Sequence, residues 1–385
     1  MIKIAVIGLG TMGRGIAQVA AMNGCEVLVY DSMDQMIEKS KIELEKNLQL
    51  LVDKSKIKPE QVQTILSKYH WCNQLKQIFQ ADLVIEAIRE DLDIKKELFA
   101  QISQIVSDQC IIASNTSSIS ITSLASAVIR PERFIGIHFF NPAPIMPLVE
   151  IIPALQTSHN TLQQAVSIIK DLNKLPIVVK DTPGFIVNRI ARPFYGEALR
   201  ILEEGLADIA TIDWAMTNIG GFKMGPFTLM DFIGHDVNYQ VTETVFNAFY
   251  YDPRYKPSFT QKRLVEAGFL GRKSKKGFYD YGDGVIAPKP NMDETVGQQI
   301  FERILVMLIN EAAEAVSLQI ASKEDIEIAM NKAVNYPKGL LQWADEIGIS
   351  VCVNKMDELY HHYREDRYRC CPLLRRMADT NQKFF

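Results

Sequence analysis

The stretch Met1-Ile2-Lys3-Ile4-Ala5-Val6-Ile7-Gly8-Leu9-Gly10-Thr11-Met12-Gly13 decides the fold of the N-terminal part of the chain. Its apolar run, residues 2–7, has the length of a buried strand, and a glycine-rich turn follows at once. Gly8 allows the tight bend, Gly10 lets a phosphate group approach the backbone, and Gly13 brings the next helix close to the strand. We therefore predict a strand, a turn and a helix whose N-terminus receives phosphate groups.

Five further apolar segments of strand length follow within the first 180 residues. They are residues 26–30, 83–87, 110–113, 134–137 and 148–152. Several are unbroken rather than alternating, which is typical of strands buried on both faces of a parallel sheet. Helical stretches at residues 13–23 and 33–54 lie between some of them. This alternation predicts an α/β fold, a doubly wound Rossmann-type domain over residues 1–180.

From Pro183 onward the pattern is helical, notably at residues 185–204 and 211–219, and strands are hard to find. Residues 281–293 are rich in Gly and Pro and predict a linker. When residues 184–237 are shifted by 114 positions onto residues 298–351, fourteen of the 54 positions are identical without a gap. We therefore predict an all-α C-terminal region built from two repeated helical units, residues 181–282 and 294–385.

Composition narrows the classes of partner. The 385 residues carry a net charge of −4, which gives no reason to expect nucleic acid or an acidic membrane surface. No apolar run approaches the roughly 18 residues that a membrane span needs. Six cysteines without a Cys-x-x-Cys pair suit a reducing cytoplasm. His361, His362, Cys370 and Cys371 match no standard zinc spacing, so no metal is expected.

The cofactor is indicated by an acidic residue at the right distance from the turn. Asp31 lies eighteen residues past Gly13, at the end of a strand-like segment. A carboxylate there accepts hydrogen bonds from the ribose hydroxyls of the adenosine and repels a 2′-phosphate. We predict NAD as cofactor, bound by Asp31 and by the turn residues Gly8, Leu9, Gly10, Thr11, Met12 and Gly13.

Candidate catalytic residues follow the later strands. Ser114-Asn115-Thr116-Ser117-Ser118 comes directly after a buried strand, where α/β sheets bind ligands. His138 lies 21 residues beyond Ser117, and Glu150 lies twelve beyond His138. A histidine oriented by a carboxylate can take the proton of an alcohol during oxidation. A buried histidine held by a backbone partner is the commoner case, and the spacing alone leaves both interpretations open.

Several motifs together decide the family. The segments SNTSS at 114–118, HFFNP at 138–142, LVEI at 148–151 and DTPGFIVNR at 181–189 closely resemble the 3-hydroxyacyl-CoA dehydrogenase family. The resemblance runs from residue 1 to about residue 280. It includes Ile85-Glu86-Ala87 and the ending Gly271-Arg272-Lys273 with Gly277-Phe278-Tyr279.

The resemblance implies roles for individual residues. His138 and Glu150 would be the catalytic pair, Ser117 would bind the substrate oxygen, and Asn188 would hold the substrate from the helical domain. The implied NAD contacts are Glu90, Lys95, Ser117, Asn141 and Lys273. Asn47 and Lys54 fall where the family meets coenzyme A, although an exposed helix face explains them equally well.

Two departures from the family pattern stand out. Relatives often have Tyr-Pro-Met-Gly-Pro where this chain has Phe222-Lys223-Met224-Gly225-Pro226. Lys223 is either a surface lysine or a contact to an anionic group of the substrate. In the second helical unit Glu302 stands opposite Asn188, so residues 294–385 are predicted to be non-catalytic and to replace a dimer partner, with a homodimer still possible.

The resemblance implies NAD-dependent, reversible oxidation of (S)-3-hydroxyacyl-CoA to 3-oxoacyl-CoA. A short or dicarboxylic acyl group, such as 3-hydroxybutyryl or 3-hydroxyadipyl, in fatty-acid or aromatic-compound catabolism is the expected substrate. Two alternatives stay open at this point. One is a related hydroxy-acid or sugar-acid dehydrogenase that does not use coenzyme A, and the other is a non-catalytic NAD-binding protein. A lysine-based 3-hydroxyacid dehydrogenase fits less well because the His and Glu positions are filled.

Overall fold

The computed structural model describes residues 2–385, which form two compact units that divide after residue 182. The first unit is α/β and the second is helical, so the predicted fold class is confirmed. No helix of residues 2–385 is long and apolar enough to cross a membrane. In the same part of the chain no group of three or more His, Cys, Asp or Glu could hold a metal, and the six cysteines are buried free thiols.

The first unit alternates strands and helices. Its elements are β1 (Lys3–Ile7), α1 (Thr11–Met22), β2 (Glu26–Tyr30), α2 (Asp34–Asp53), α3 (Pro59–Leu66), β3 (Tyr69–Cys72), β4 (Leu83–Glu86), α4 (Leu92–Ile105), β5 (Ile111–Ser114), α5 (Ile121–Ala125), β6 (Phe134–Phe139), β7 (Leu148–Pro153), α6 (His159–Asp171) and β8 (Leu175–Val178). The strands form one sheet in the order β3-β2-β1-β4-β5-β6-β7-β8. The part β3-β2-β1-β4-β5-β6 has the strand order of a dinucleotide-binding domain.

The sheet differs from the predicted parallel sheet in one place. All neighbouring strands are parallel except β6 and β7, which are antiparallel. Only residues 140–147 join these two strands, whereas a parallel crossover needs a dozen residues or more. The chain therefore reverses, and β7 lies beside β6 in the opposite direction.

Two strands were not predicted, and both lie at sheet edges. The strand β3 reads YHWC and is half-exposed, so it shows no apolar run. The strand β8 reads LPIV and contains Pro176, which argues against a central strand and is tolerated at an edge. The buried central strands are the ones that an apolar run could identify.

The second unit consists of helices and short turns. Its helices are α7 (Val187–Ile190), α8 (Arg192–Glu203), α9 (Ile209–Trp214), α10 (Pro226–Ile233), α11 (His235–Ala248), α12 (Phe259–Glu266), α13 (Glu294–Ser317), α14 (Lys323–Ala333), α15 (Leu340–Ile347), α16 (Ile349–Tyr363) and α17 (Pro372–Asp379). The predicted helix over residues 185–204 is divided into α7 and α8. The predicted helix over residues 211–219 is the end of α9 followed by a π-helical turn, Ala215–Ile219.

The repeat within this unit is confirmed. Helices α10 and α15 have equal lengths and bounds that differ by 114 positions, and α11 and α16 begin 114 positions apart. Identical residues also perform identical tasks. Asp231 accepts hydrogen bonds from the backbone N–H groups of Phe278 and Tyr279, and Asp345 accepts them from those of Phe384 and Phe385. In each helical unit the aspartate thus binds the backbone of two consecutive aromatic residues near the end of that unit.

The two helical units exchange ion pairs reciprocally. Arg189 of the first helical unit donates to Glu311 of the second helical unit at 2.6 Å. In return, Arg303 of the second helical unit donates to Glu197 of the first helical unit at 2.6 Å. Arg189 and Arg303 are 114 positions apart, and so are the two glutamates. A tyrosine completes each cluster, since Tyr255 donates to Glu311 at 2.5 Å and Tyr368 donates to Glu197 at 2.7 Å. Such an exchange is the pattern of a two-fold symmetric dimer interface.

Candidate active site

The glycine turn after β1 has the geometry that a dinucleotide needs. Gly8 has a φ of 90°, and a side chain on it would meet the carbonyl of Ala87 at 2.8 Å. A Cβ atom on Gly13 would lie 1.8 Å from the carbonyl oxygen of Gly8. On Gly10 it would meet nothing within 4 Å, so the turn has open space on that side. The site fits a pyrophosphate because the N-terminus of α1 follows directly, with N–H groups that have no partner within the helix.

Asp31 lies at the end of β2 beside this turn. Its carboxylate accepts hydrogen bonds from the N–H groups of Leu9 and Met33 at 2.7 Å and 3.0 Å. Asp31 also lines a groove together with Gly8, Ile88 and Leu98. Apolar walls with a carboxylate at the rim fit the adenosine half of a dinucleotide.

His138 and Glu150 meet inside the sheet. They face each other in the antiparallel register of β6 and β7, and Nδ1 of His138 lies 2.7 Å from Oε2 of Glu150. Both side chains are buried. Glu150 therefore lies within a strand rather than after one, and the reversal between β6 and β7 brings the two residues together. The pair can hold a histidine ring in one orientation and stabilise it when it takes up a proton.

The loop after β5 is organised around Glu90. Oε1 of Glu90 accepts hydrogen bonds from Thr116 Oγ1, from the N–H of Ser117 at 3.0 Å and from Ser118 Oγ at 3.1 Å. Burial alone raises the pKa of Glu90, but Lys95 and these hydrogen bonds outweigh it and hold the pKa below its usual value. Glu90 is thus ionised and fixes the position of Ser117.

A buried carboxylate that the sequence did not single out supports this loop. Glu86, at the end of β4, accepts hydrogen bonds from Lys95 Nζ at 2.6 Å and from Ser114 Oγ at 2.7 Å. Lys95 is 1% exposed and also lies 3.3 Å from Glu90. The ammonium group of Lys95 therefore sits between two carboxylates beneath the loop. An acidic residue at the end of an apolar strand, in Ile85-Glu86-Ala87, was the available signal.

Asp181 is a second residue whose role was not predicted. Its carboxylate accepts hydrogen bonds from Ser120 Oγ and from the N–H groups of Ile121 and Thr122. These contacts place the first residue of the DTPGFIVNR motif at the N-terminus of α5. Asp181 therefore holds the segment that follows the serine loop.

The residues predicted to meet coenzyme A lie along one groove of the first unit. Asn47 and Lys54 on α2 line it together with Thr11 and with Asn141 from the β6–β7 connection. The structure thus brings together two predicted coenzyme A contacts and two predicted NAD contacts. A groove with a helix N-terminus and a lysine is suited to an anionic ligand.

Three predicted site residues belong to the second unit. Asn188 lies on α7, and its carbonyl oxygen accepts a hydrogen bond from Arg192 Nε at 2.8 Å. Lys273 pairs with Asp236 at 2.5 Å. Lys223 is exposed, and its Nζ donates to Asn335 Oδ1 at 3.4 Å.

The fold and this site define the class of protein: an oxidoreductase that binds NAD on a Rossmann-type domain. The sequence model of the 3-hydroxyacyl-CoA dehydrogenase NAD-binding domain matches residues 3–182, and that of the C-terminal domain matches twice, at residues 184–281 and 300–383. The chain belongs to the 3-hydroxyacyl-CoA dehydrogenase family. The predicted reaction, NAD-dependent oxidation of a 3-hydroxyacyl-CoA, is confirmed at this level.

Individual relatives agree with this assignment. A 3-hydroxyadipyl-CoA dehydrogenase of Escherichia coli strain K12 is 36% identical over 97% of this chain and 97% of its own length. A probable 3-hydroxybutyryl-CoA dehydrogenase of Deinococcus radiodurans is 44% identical over 72% of this chain and 100% of its own length. The crystal structure of 3-hydroxybutyryl-CoA dehydrogenase from Escherichia coli K12 superposes with a TM-score of 0.93, at 35% identity, over 98% of each chain.

Proposed function

We propose that His138 is the base of the dehydrogenase reaction. Its Nδ1 is engaged by Glu150 at 2.7 Å, so the proton of the C3 hydroxyl is accepted at Nε2. NAD, held by Asp31 and by the turn from Gly8 to Gly13, would supply the hydride acceptor of this oxidation. As the C3–O bond becomes a carbonyl, the proton of the hydroxyl goes to His138. The single observation that carries this proposal is the buried His138–Glu150 pair.

Glu150 acts by orienting the histidine and by compensating its charge. Its carboxylate is fully buried, and it approaches the ring from the neighbouring strand rather than from a loop. A fixed carboxylate selects one ring tautomer and stabilises the imidazolium that forms during oxidation. This role explains why the ion pair is embedded in the sheet, where strand geometry fixes it.

The remaining residues of the first unit bind and position the reactants. Asp31 recognises the ribose hydroxyls, and the turn from Gly8 to Gly13 receives the pyrophosphate. Glu90 and Lys95 hold Ser117, which binds the substrate oxygen, and Asn141 contacts the cofactor. Asn47 and Lys54 receive the coenzyme A moiety along the groove described above.

In the second unit Asn188 holds the acyl group and Lys273 contacts the cofactor. Residues 294–385 form a non-catalytic unit that takes the place of a dimer partner, which is supported by the reciprocal Arg–Glu exchange and by Glu302 at the position of Asn188. Glu302 pairs with Lys355 at 3.2 Å and thus has a structural partner.

The six free thiols support action in a reducing compartment, the cytoplasm.

The substrate is a short or dicarboxylic 3-hydroxyacyl-CoA. This proposal is supported by the names of the relatives that match the chain, which act on 3-hydroxyadipyl-CoA and 3-hydroxybutyryl-CoA. The test is NADH formation with a panel of 3-hydroxyacyl-CoA esters of increasing chain length, with and without a terminal carboxylate. Free 3-hydroxy acids and sugar acids serve as controls. Turnover of the free acids at rates equal to those of the esters contradicts the proposal.

A further inference from the structure

One buried cation of the second unit has no acidic partner. Arg192 is 6% exposed, and its guanidinium donates to the carbonyl of Asn188, to the carbonyl of Asn238 at 3.5 Å and to Thr242 Oγ1 at 3.0 Å. All three acceptors are neutral, and no carboxylate of residues 2–385 forms an ion pair with Arg192. Burial lowers the pKa of Arg192, and only the tyrosines Tyr195 and Tyr336 act against this effect.

Other arginines of the same unit whose side chains are largely buried are neutralised by glutamates. Arg189 and Arg254 pair with Glu311, and Arg303 and Arg367 pair with Glu197. Arg192 has instead three neutral acceptors and the ring of Tyr195, whose centroid lies 4.9 Å from the guanidinium carbon. Its charge therefore lacks a carboxylate partner, and an anion bound there would supply one.

A hydroxyl group beside Arg192 also has no partner. Tyr336 is buried, its hydroxyl forms no hydrogen bond, and its phenol is close enough to interact electrostatically with Arg192. Buried hydroxyl groups are normally hydrogen-bonded, so each exception points to a missing acceptor. A carboxylate satisfies both groups at once, since it accepts from a guanidinium and from a hydroxyl.

The duplicated unit shows that the fold does not require these polar groups. At the position of Arg192 the second helical unit carries Val306, 114 residues later. At the position of Thr242 it carries Met356, which is buried. The second helical unit thus packs with two apolar side chains where the first helical unit has an arginine and its hydroxyl acceptor. The packing of these helices therefore does not require an arginine at this position.

We propose that Arg192 and Tyr336 bind the terminal carboxylate of a dicarboxylic acyl chain. This inference rests on the proposed function, in which Asn188 holds the acyl group. Arg192 follows Asn188 by four residues, which is one helical turn, and donates to its carbonyl. The proposal places the far end of a chain held at Asn188 beside this guanidinium. The second helical unit contributes Tyr336 and so takes part in substrate selection without carrying catalytic residues.

The sharpest test compares two substrates that differ only at the far end. Both 3-hydroxyadipyl-CoA and 3-hydroxyhexanoyl-CoA have six acyl carbons, and only the first has the terminal carboxylate. We expect the wild-type protein to prefer the adipyl ester in kcat/KM. Arg192→Met should lower the adipyl-to-hexanoyl ratio by roughly 10- to 100-fold, because a charge-assisted contact is lost. Arg192→Lys keeps the charge without the planar fork and should give an intermediate ratio.

Tyr336→Phe removes only a hydroxyl group that has no hydrogen bond in the chain, so it should preserve folding. We expect it to lower the same ratio by roughly three- to tenfold. Tyr69→Phe is the matched control, because the Tyr69 hydroxyl is also buried without a partner but lies in the first unit. It should leave the ratio unchanged. Lys223→Met tests the alternative that the exposed lysine binds the terminal carboxylate.

Different failures have different signatures. A wild-type enzyme that turns over neither ester refutes the proposed function itself. Turnover of both esters with a ratio that Arg192→Met leaves unchanged refutes only the carboxylate site. An equal loss on both esters shows that Arg192 merely supports Asn188. A ratio that falls with Lys223→Met and not with Arg192→Met assigns the carboxylate to the lysine and also overturns the proposal.

Discussion

His138 and Glu150 are direct cross-strand neighbours on β6 and β7, and Nδ1 of the histidine lies 2.7 Å from Oε2 of the glutamate. Cross-strand pairs of an antiparallel ladder have little freedom to separate, because each residue is held by its own strand. The pair proposed to be catalytic is therefore held in place by the sheet itself. Its geometry does not depend on a loop that must close.

His138→Gln should lower kcat by roughly 10²–10⁴-fold, because glutamine can form a hydrogen bond but cannot accept the hydroxyl proton. The affinity for NAD should barely change, since the histidine does not belong to the nucleotide groove. Steady-state turnover and a fluorescence titration with NADH measure the two effects separately. A variant with near-normal turnover removes His138 from the mechanism.

Glu150→Gln retains the shape of the side chain but removes the charge that compensates the imidazolium. Turnover should fall by roughly 10²-fold or more, and the pH dependence of kcat should change as well. The measurement is a full pH–rate profile of both proteins. A profile identical in shape to that of the wild-type enzyme contradicts the pairing of Glu150 with His138.

Asp31→Ala should relax the choice of cofactor. The wild-type enzyme should use NAD far better than NADP, because the carboxylate repels a 2′-phosphate. The variant should lose activity with NAD, so the ratio of kcat/KM with NAD to kcat/KM with NADP should become smaller. Equal use of both cofactors by the wild-type protein refutes this role. The contacts from Leu9 and Met33 to Asp31 mean that thermal stability must be checked in parallel.

Glu90 should contribute stability that depends on pH. Its pKa in the folded protein lies below the usual value, so its contribution is fully present above the unfolded pKa of about 4.3. As the pH falls through the folded pKa, the carboxylate becomes protonated and the contribution is lost. The gap in melting temperature between the wild-type protein and Glu90→Gln should therefore be largest near neutral pH and shrink below about pH 4. A gap of constant size at every pH rules out this linkage.

Arg303→Met should destabilise the second unit strongly, since it leaves the buried Glu197 without its main cation. We expect a loss of about 3–5 kcal/mol in the free energy of unfolding, as for other broken buried ion pairs. The matched control is Arg375→Met, because Arg375 is exposed and its partner Asp357 is only half-buried, and it should cost only about 0–1 kcal/mol. Denaturant titration measures both. Equal effects of the two variants contradict the structural importance of the reciprocal exchange.

The sequence predicted the buried centre of the structure and missed its edges. The strands β1, β2, β4, β5, β6 and β7 have apolar runs, whereas the half-exposed strand β3 and the proline-containing β8 do not. Similarly, motifs located His138 and Glu150, but only the reversal between their strands shows that they touch. A run of apolar residues indicates that a strand is buried, but it does not indicate which strand lies next to it in the sheet.

The parts of the site that the sequence missed depend on contacts between distant residues. Glu86 supports the serine loop through Lys95 and Ser114, and neither contact can be read from a local pattern. Arg192 and Tyr336 are 144 positions apart and come from different helical units. Their relationship becomes visible only when the packing of the repeat is known. By contrast, the repeat itself could be predicted because its spacing is constant.

Arg189 and Arg303 form ion pairs between two helical units of one polypeptide, so the stability of this interface should not depend on protein concentration. In a pair of separate subunits this interface would form only as fast as the subunits meet, and it would dissociate at low concentration. Here a tether of about a dozen residues, 281–293, joins the two halves and gives them a high effective concentration for each other. The melting temperature of this unit should therefore not depend on how much protein is present. A cell that makes only a few copies of the enzyme still obtains each copy with its interface complete.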